Sequence, residues 1–264
     1  MKRFLADMKK YREYAVYSAK SGLKAEVADS HLSWLWWILD PLLFMLVYSF
    51  VAIIVFGKGE KYFAAFVFIG LSSWRFFSGT IKQSVRMVSK NSAIVSKIYM
   101  PKYVLIIIQM LINAFKMCIS FSLVAGAMVL YLVPVSYRLL YIIPCMLVLF
   151  VVTFGFSCIA LHFGVYVDDL SNLINVFLQL VFYLSGIFYS IETRVGKALG
   201  DGYVTLLLRC NPAALVIDSL RKCMLYNTEP DFAALGLWLA VGCIFSAIGI
   251  RLIYKNENSY VKIM

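Results

Sequence analysis

The sequence predicts an all-α integral membrane protein. Of its 264 residues, 62% are hydrophobic and only 15% are charged, and the mean hydropathy is +0.83. Soluble domains contain about 45–50% apolar and roughly 25% charged residues, so a water-soluble fold of this length could not bury so much apolar surface. Soluble enzymes, nucleic-acid-binding modules and disordered scaffolds are thereby excluded.

Six apolar stretches are long enough, or nearly so, to cross a bilayer as helices, which takes about 20 residues each. We expect the second of them, which is short, to continue towards Thr80. The predicted spans are 34–56, 62–77, 103–132, 139–164, 173–189 and 235–254, so that residues 34–254 form the transmembrane domain, preceded by the segment 1–33 and followed by a cytoplasmic tail at 255–264.

The distribution of Lys and Arg predicts the orientation of these spans. If the N-terminus is cytoplasmic, the inner segments carry 16 of the 25 basic residues and the outer segments carry 8. Because basic residues are enriched in cytoplasmic loops, we expect both termini in the cytoplasm. The excess of basic over acidic residues is thus explained by topology, and no nucleic acid partner is expected.

The first 33 residues are polar and basic and contain one apolar helical face. The basic residues Lys2, Lys9, Arg12 and Lys20 lie elsewhere on the same helix, a pattern typical of amphipathic helices at the inner-leaflet surface. We expect Ser21-Gly22 to interrupt this helix. The apolar face consists of Phe4, Met8, Tyr11 and Ala15.

The outer segment 190–234 holds two apolar pieces, 204–208 and 213–217, separated by Asn211-Pro212. Each piece is far too short to cross the bilayer, which favours a re-entrant hairpin of short helices sheltered by protein. The alternative is an ordinary extracellular loop. If that loop faces an oxidising space, Cys210 and Cys223 could form a disulfide; the sequence leaves this open.

Two spans carry stripes of polar residues. The third span contains Lys116 about 13 residues from its start, roughly 20 Å along the helix axis. A charge there costs at least about 2.5–3.5 kcal/mol in lipid, so Lys116 lines either a hydrated translocation path or a contact with a neighbouring helix. The stripes are Gln109, Asn113, Lys116 and Ser120 in the third span, and Asn172, Asn175, Gln179 and Tyr183 in the fifth.

Two such stripes on separate helices favour a shared polar interior, although either could instead serve helix–helix packing. The chain shows no constellation typical of catalysis or metal binding, and its two histidines lie on different segments. Its two Gly-Lys pairs lack the upstream glycine and following Ser or Thr of a phosphate-binding loop. We therefore expect no catalytic site, no metal and no bound cofactor on this chain.

Two predicted cytoplasmic segments suit contact with a partner. Four basic residues, Lys82, Arg86, Lys90 and Lys97, align on one face if their segment is helical. The short 165–171 loop is instead acidic, with Asp168 and Asp169. The basic segment either docks a cytoplasmic partner or rests on anionic lipid.

Four motifs, in order along roughly residues 23–260, resemble type-2 ABC exporter permeases of the polysaccharide, O-antigen and teichoic-acid group. The motifs are SWLWWILDPLL at 33–43, GLSSWRFF at 70–77, the segment 91–101 ending in KIYMP, and Asn211-Pro212 followed by Asp218 and Arg221.

The resemblance implies a homodimer in the bacterial cell (inner) membrane, joined by two copies of a separate ABC ATPase that binds ATP and Mg²⁺. It implies export of an undecaprenyl-linked glycan such as teichoic acid, O-antigen or capsule, with the N-terminal helix and the 82–99 segment touching the ATPase. It also implies an aromatic channel, for which the candidates are Trp36, Trp37, Phe44, Tyr48, Trp74, Phe77, Tyr183 and Tyr189.

Two alternatives remain beside this interpretation. The same fold could export a drug or a small lipid, which no residue excludes. A membrane enzyme acting on lipid-linked sugars would need a clustered acidic or histidine site, and Asp168-Asp169 is the only pair that approaches one.

Overall fold

A computed structural model describes residues 2–28, 35–50, 61–95, 99–134 and 136–263. Within these ranges the chain is helical and contains no β-strand. A 3₁₀ turn at Tyr137–Tyr141 precedes α7, and a π-helical turn at Lys222–Tyr226 follows α11. The α-helices of this part are α1 (Lys2–Ala28), α2 (Trp36–Phe50), α3 (Phe63–Val85), α4 (Met87–Lys90), α5 (Ser92–Val95), α6 (Tyr103–Leu130), α7 (Ile142–Tyr166), α8 (Leu170–Leu184), α9 (Ile191–Leu199), α10 (Asp201–Cys210), α11 (Pro212–Arg221) and α12 (Phe232–Ile263).

Four helices in the described ranges are long and apolar enough to cross a membrane: α3, α6, Tyr137–Tyr166 and Phe232–Glu257. A fifth span is possible if the bent pair Gly202–Cys210 and Pro212–Tyr226 counts as one. The multi-pass, all-helical class is thereby confirmed. The count of six stays a prediction, because α2 and α8 have only 15 residues each, roughly 22 Å of helix.

Helix α3 lies at the centre of the fold. It contacts α2, α6, α7, α8 and α11, and almost all of its residues are buried. It extends two turns beyond the predicted end at 77, since Ile81 and Val85 continue its buried face. The hydroxyl groups of Ser78, Thr80 and Ser84 donate to carbonyls one turn back, as in Thr80 to Phe76, so these three are satisfied without solvent.

Helix α1 is continuous, so the predicted interruption at Ser21-Gly22 is wrong. Gly22 lies close to α6: a Cβ there would lie 2.9 Å from Cδ1 of Ile112, so a side chain at this position would displace the end of the Ile112 side chain. The predicted apolar face of α1 is confirmed, because Ala15 is buried and the other members pack against the core. Helix α1 therefore lies along α6; its position at the membrane interface stays a prediction.

The segment after α8 forms a bent helical hairpin, as the sequence predicts. Helices α10 and α11 meet at an angle of 106°. The bend lies at Asn211, whose side-chain oxygen caps α11 by accepting from the amides of Ala213 and Ala214. The re-entrant placement of the hairpin in the membrane stays a prediction. Cys210 is exposed, Cys223 is buried, and the two do not form a disulfide.

Candidate functional site

A cavity of about 530 Å³ lies between α1, α2, α3 and α6. Two ion pairs cross it. Lys116 on α6 contacts Glu26 on α1 at 2.6 Å, and Arg75 on α3 contacts Asp40 on α2 at 2.6 Å. The four side chains are between 34% and 51% exposed, so they remain open to the cavity. The charges balance, and the site is therefore polar without a net charge.

The polar stripe of α6 forms one wall of this cavity. Asn113, Lys116 and Ser120 all line it. Gln109, one turn away, donates to the Asn113 side-chain oxygen at 3.2 Å, and the Asn113 amide donates to the Thr80 hydroxyl at 2.9 Å. These bonds fix the amide, so α6 presents a rigid polar surface to the cavity.

Aromatic and hydroxyl groups complete the site. Trp36 and Trp37 line the cavity beside the carboxylates. Ser72 on α3 also lines it, and its buried hydroxyl has no hydrogen-bond partner within the described part of the chain. Flat aromatic faces, two carboxylate acceptors and an unpartnered hydroxyl suit a neutral ligand rich in hydroxyl groups.

The other aromatic candidates lie elsewhere. Phe44 packs on the Arg75 guanidinium, 4.9 Å from it, at the edge of the site. Trp74 and Phe77 are buried in the helical core of the single chain. The Tyr189 hydroxyl donates to the backbone carbonyl of Tyr183 at 2.8 Å. The prediction for Tyr48 concerns a side chain that is not described.

The polar stripe of α8 does not reach this cavity. Asn172, Asn175, Gln179 and Tyr183 are exposed on the single chain. Among the residues of α8, only Leu178 is buried, and the helix packs on α3 and α7. Within one chain the two stripes therefore do not form a shared polar interior.

The predicted partner-contact residues lie at one end of the bundle. Lys82, Arg86 and Lys90 are exposed where α3 passes into α4, and α4 packs on α7. Asp168 and Asp169 are exposed in the turn that follows α7. Lys97 lies outside the described residues. The segment is not one continuous helix, because α3 ends at Val85 and the four-residue helix α4 begins after Arg86, so the predicted alignment on one helical face is interrupted at Arg86.

A polar network joins α1, α6 and α12 near the same end. The Tyr99 hydroxyl contacts both Arg3 and the Glu257 carboxylate. Because it donates to that carboxylate, the pKa of Tyr99 is raised above its ordinary value. In the adjoining cluster, Tyr254 donates to Asp7 at 2.6 Å. The N-terminal helix and the last helix are therefore held together by charged and hydrogen-bonded groups.

Sequence reasoning missed Glu26 and the buried Arg221. Arg221 is 3% exposed and donates to the carbonyls of Phe66, Gly186 and Ile187 at 2.7–3.1 Å. It thereby fastens the hairpin to α3 and to the turn after α8. Its place in the motif that follows Asn211-Pro212 is the sequence feature from which its importance could have been predicted. Glu26 gave no signal, because it stands in a polar segment.

No family model matches this chain. Three curated relatives do, each an "O-antigen export system permease protein RfbA". Two from Klebsiella pneumoniae are 22% and 23% identical over 92% of this chain and 91% of their own length. One from Myxococcus xanthus is 23% identical over 92% of both chains.

The resemblance to type-2 ABC exporter permeases is confirmed. The similarity extends over 92% of the chain. Together with the four helices that are long and apolar enough to cross a bilayer, it indicates a multi-pass membrane protein that is similar to export permeases. In the described ranges, no group of His, Cys, Asp or Glu could hold a metal ion.

Proposed function

We propose that this chain is the membrane subunit of an ATP-driven exporter that moves a lipid-linked surface polysaccharide across the bacterial inner membrane. O-antigen, teichoic acid and capsule are the polymer classes in question. The observation that carries the proposal is the similarity to three O-antigen export permeases over 92% of the chain.

The proposed assembly contains two copies of this chain and two copies of a cytoplasmic ABC ATPase, which binds ATP and Mg²⁺. Six spans per chain and cytoplasmic termini belong to the same proposal. The exposure of α8 supports a second copy: Leu173, Val176 and Leu180 are exposed beside the polar stripe. A helix with both kinds of residue on its open surface suits an interface between protein helices better than lipid alone.

The cavity supports the assignment of a glycan path. A polymer that slides needs contacts that hold sugar rings without fixing their register. The faces of Trp36 and Trp37 supply apolar contact, while Asp40 and Glu26 accept hydroxyl hydrogen bonds. Because its charges are balanced, the wall does not trap the polymer at one ionic group.

Deletion of the gene in its own bacterium tests the export function. We expect the surface polymer to disappear, while the unexported polymer accumulates inside the cell, and we expect the plasmid-borne gene to restore export. Gel analysis of extracts and surface labelling with a lectin or antibody measure both pools. A normal surface polymer in the deletion strain, with sensitivity to small toxic compounds, would indicate the drug-exporter alternative instead.

The reactivity of a cysteine introduced on α6 tests separately whether the cavity belongs to the glycan path. In a background without the six native cysteines, Lys116→Cys should react with a small membrane-impermeant thiol reagent, because the cavity is hydrated in the proposed path. The matched control is Leu111→Cys. Leu111 is exposed on the single chain but lies among apolar residues, so a cysteine there should not be labelled. Absence of labelling at position 116 in every nucleotide state would remove the cavity from the path.

A further inference from the structure

Two apolar grooves run side by side along the N-terminal half of α1. One, of about 480 Å³, lies between α1, α6, α7 and α12, and the other, of about 490 Å³, lies between α1 and α6. They share Met8, Ile107 and Leu111. The two grooves therefore adjoin at these three residues, and we refer to them together as the trough.

The wall of the first groove presents no free hydrogen-bonding group to water. Its walls are almost entirely carbon, with Phe4, Phe154 and Ala247 among them. The one hydroxyl in its wall, Ser246, already donates to the Gly242 carbonyl at 2.7 Å. A site without free polar partners does not hold ordered water. The groove's wall helices other than α1, namely α6, α7 and α12, are long and apolar enough to span the membrane, so the groove suits a hydrocarbon chain.

The second groove ends at two cations. Lys9 and Arg12 line it and are exposed. Within the described ranges, no carboxylate lies within 4 Å of either charge, although the same helix pairs Arg3 with Asp7 and Glu26 with Lys116. An apolar trough with free positive charge at its margin is complementary to an anionic amphiphile.

We propose that this trough, formed by the residues around Met8, Ile107 and Leu111, binds an anionic phospholipid. One acyl chain occupies the groove between α1, α6, α7 and α12, and the phosphate-bearing headgroup contacts Lys9 and Arg12. The site lies apart from the charged cavity and does not depend on the cargo. The lipid would fill the space between α1 and the spans and so fix the N-terminal helix in place.

Lipid titration of the purified full-length chain in detergent tests the site. Phosphatidylglycerol should raise the midpoint of thermal unfolding, phosphatidylcholine with the same acyl chains should do so far less, and glycerol phosphate without chains should have no effect. Each cation near a membrane surface contributes about 1 kcal/mol, so Lys9→Gln with Arg12→Gln should weaken phosphatidylglycerol binding by about 25-fold.

Two further variants separate headgroup from chain. Lys20→Gln removes an exposed cation of the same helix that does not line the trough, and it should leave binding unchanged. Ala247→Phe fills the groove and should weaken the binding of both lipids. If this variant does not fold, the site is tested by comparing the double variant Lys9→Gln/Arg12→Gln with Lys20→Gln. Equal responses to the two phospholipids, a response to glycerol phosphate, or a response only to a polyprenyl phosphate would each overturn the proposal.

Discussion

The Lys116 ammonium on α6 lies 2.6 Å from a carboxylate oxygen of Glu26 at the end of α1. The two residues are 90 positions apart. The pair neutralises the charge that stands near the middle of a predicted span, and it joins the N-terminal helix to the cavity wall. Lys116 thus contacts a neighbouring helix, one of its two expected environments, and it also lines a polar cavity; that this cavity is a translocation path stays a proposal.

A double-mutant cycle tests this pair. Because both side chains are partly exposed, the interaction is worth about 1 kcal/mol or less, and Glu26→Gln should lower the unfolding midpoint by about 2–4 °C. Lys116→Met should have a similar effect, and the double variant should lose little more than either single one. Thermal unfolding in detergent measures each midpoint. Glu13→Gln, an exposed acid of α1, is the control; strictly additive losses would mean that the pair is not coupled.

The helical class and most of the long helices follow from composition and periodicity. Hydropathy detects α3, α6, α7 and α12 because a span must satisfy its own backbone and face apolar surroundings. The stripe on α6 was predictable for the same reason, since residues three and four apart share a face. Periodicity does not say what that face meets, so Glu26, far away in sequence, was not found.

The same limit explains why residues that are buried in the single chain were among the aromatic candidates. An aromatic side chain serves equally in a channel wall, in a helical core or against lipid. Trp74 and Phe77 belong to the second of these classes because α3 is enclosed by other helices on almost every side. Burial of α3 is a property of the whole bundle. Its own sequence, with several hydroxyl residues, resembles that of a channel-lining helix.

Substitution of Arg221 should be among the most damaging changes in the hairpin. The guanidinium makes three hydrogen bonds to buried carbonyls and stacks 3.4 Å from the centre of the Phe66 ring. Arg221→Gln should cost about 3 kcal/mol or more and lower the unfolding midpoint by at least about 6 °C. Arg221→Lys should not rescue it, because an ammonium cannot reproduce the planar fork.

Arg209→Gln provides the control for Arg221. Arg209 stands in the same hairpin, but it is exposed and its contact with Asp231 is long, at 3.5 Å. Its loss should change the midpoint by less than about 2 °C. If Arg221→Lys unfolds at the parent temperature, the fork geometry is unimportant and Arg221 supplies only charge.

The turn between α8 and α9 depends on Gly186. Its φ of +62° lies in the left-handed region, and an added Cβ would lie 2.6 Å from Cγ1 of the buried Ile191. Gly186→Ala should therefore cost about 1–2 kcal/mol in backbone strain alone, before any clash. Gly202→Ala in α10 is the matched control: nothing lies within 4 Å of its Cβ, and a helical alanine is favoured. Thermal unfolding of both variants should move the midpoint in opposite directions; a common shift would contradict the assigned strain.

The basic residues at the α3–α4 junction should control assembly with the ATPase. Arg86 is exposed between Lys82 and Lys90, so Arg86→Glu places a negative charge in the middle of a positive surface. We expect weaker co-purification of the ATPase at low ionic strength and a smaller difference from the parent at high ionic strength, because exposed charges are screened by salt. Lys197→Glu is the control: it makes the same charge change on an exposed residue of α9, beyond the far end of α8. Pull-down from co-expressing cells and ATP turnover of the purified complex measure the effect. If Arg86→Glu and Lys197→Glu retain the ATPase equally, this surface does not dock it and serves the lipid headgroups instead, because reversal of a charge at a true docking site cannot be neutral.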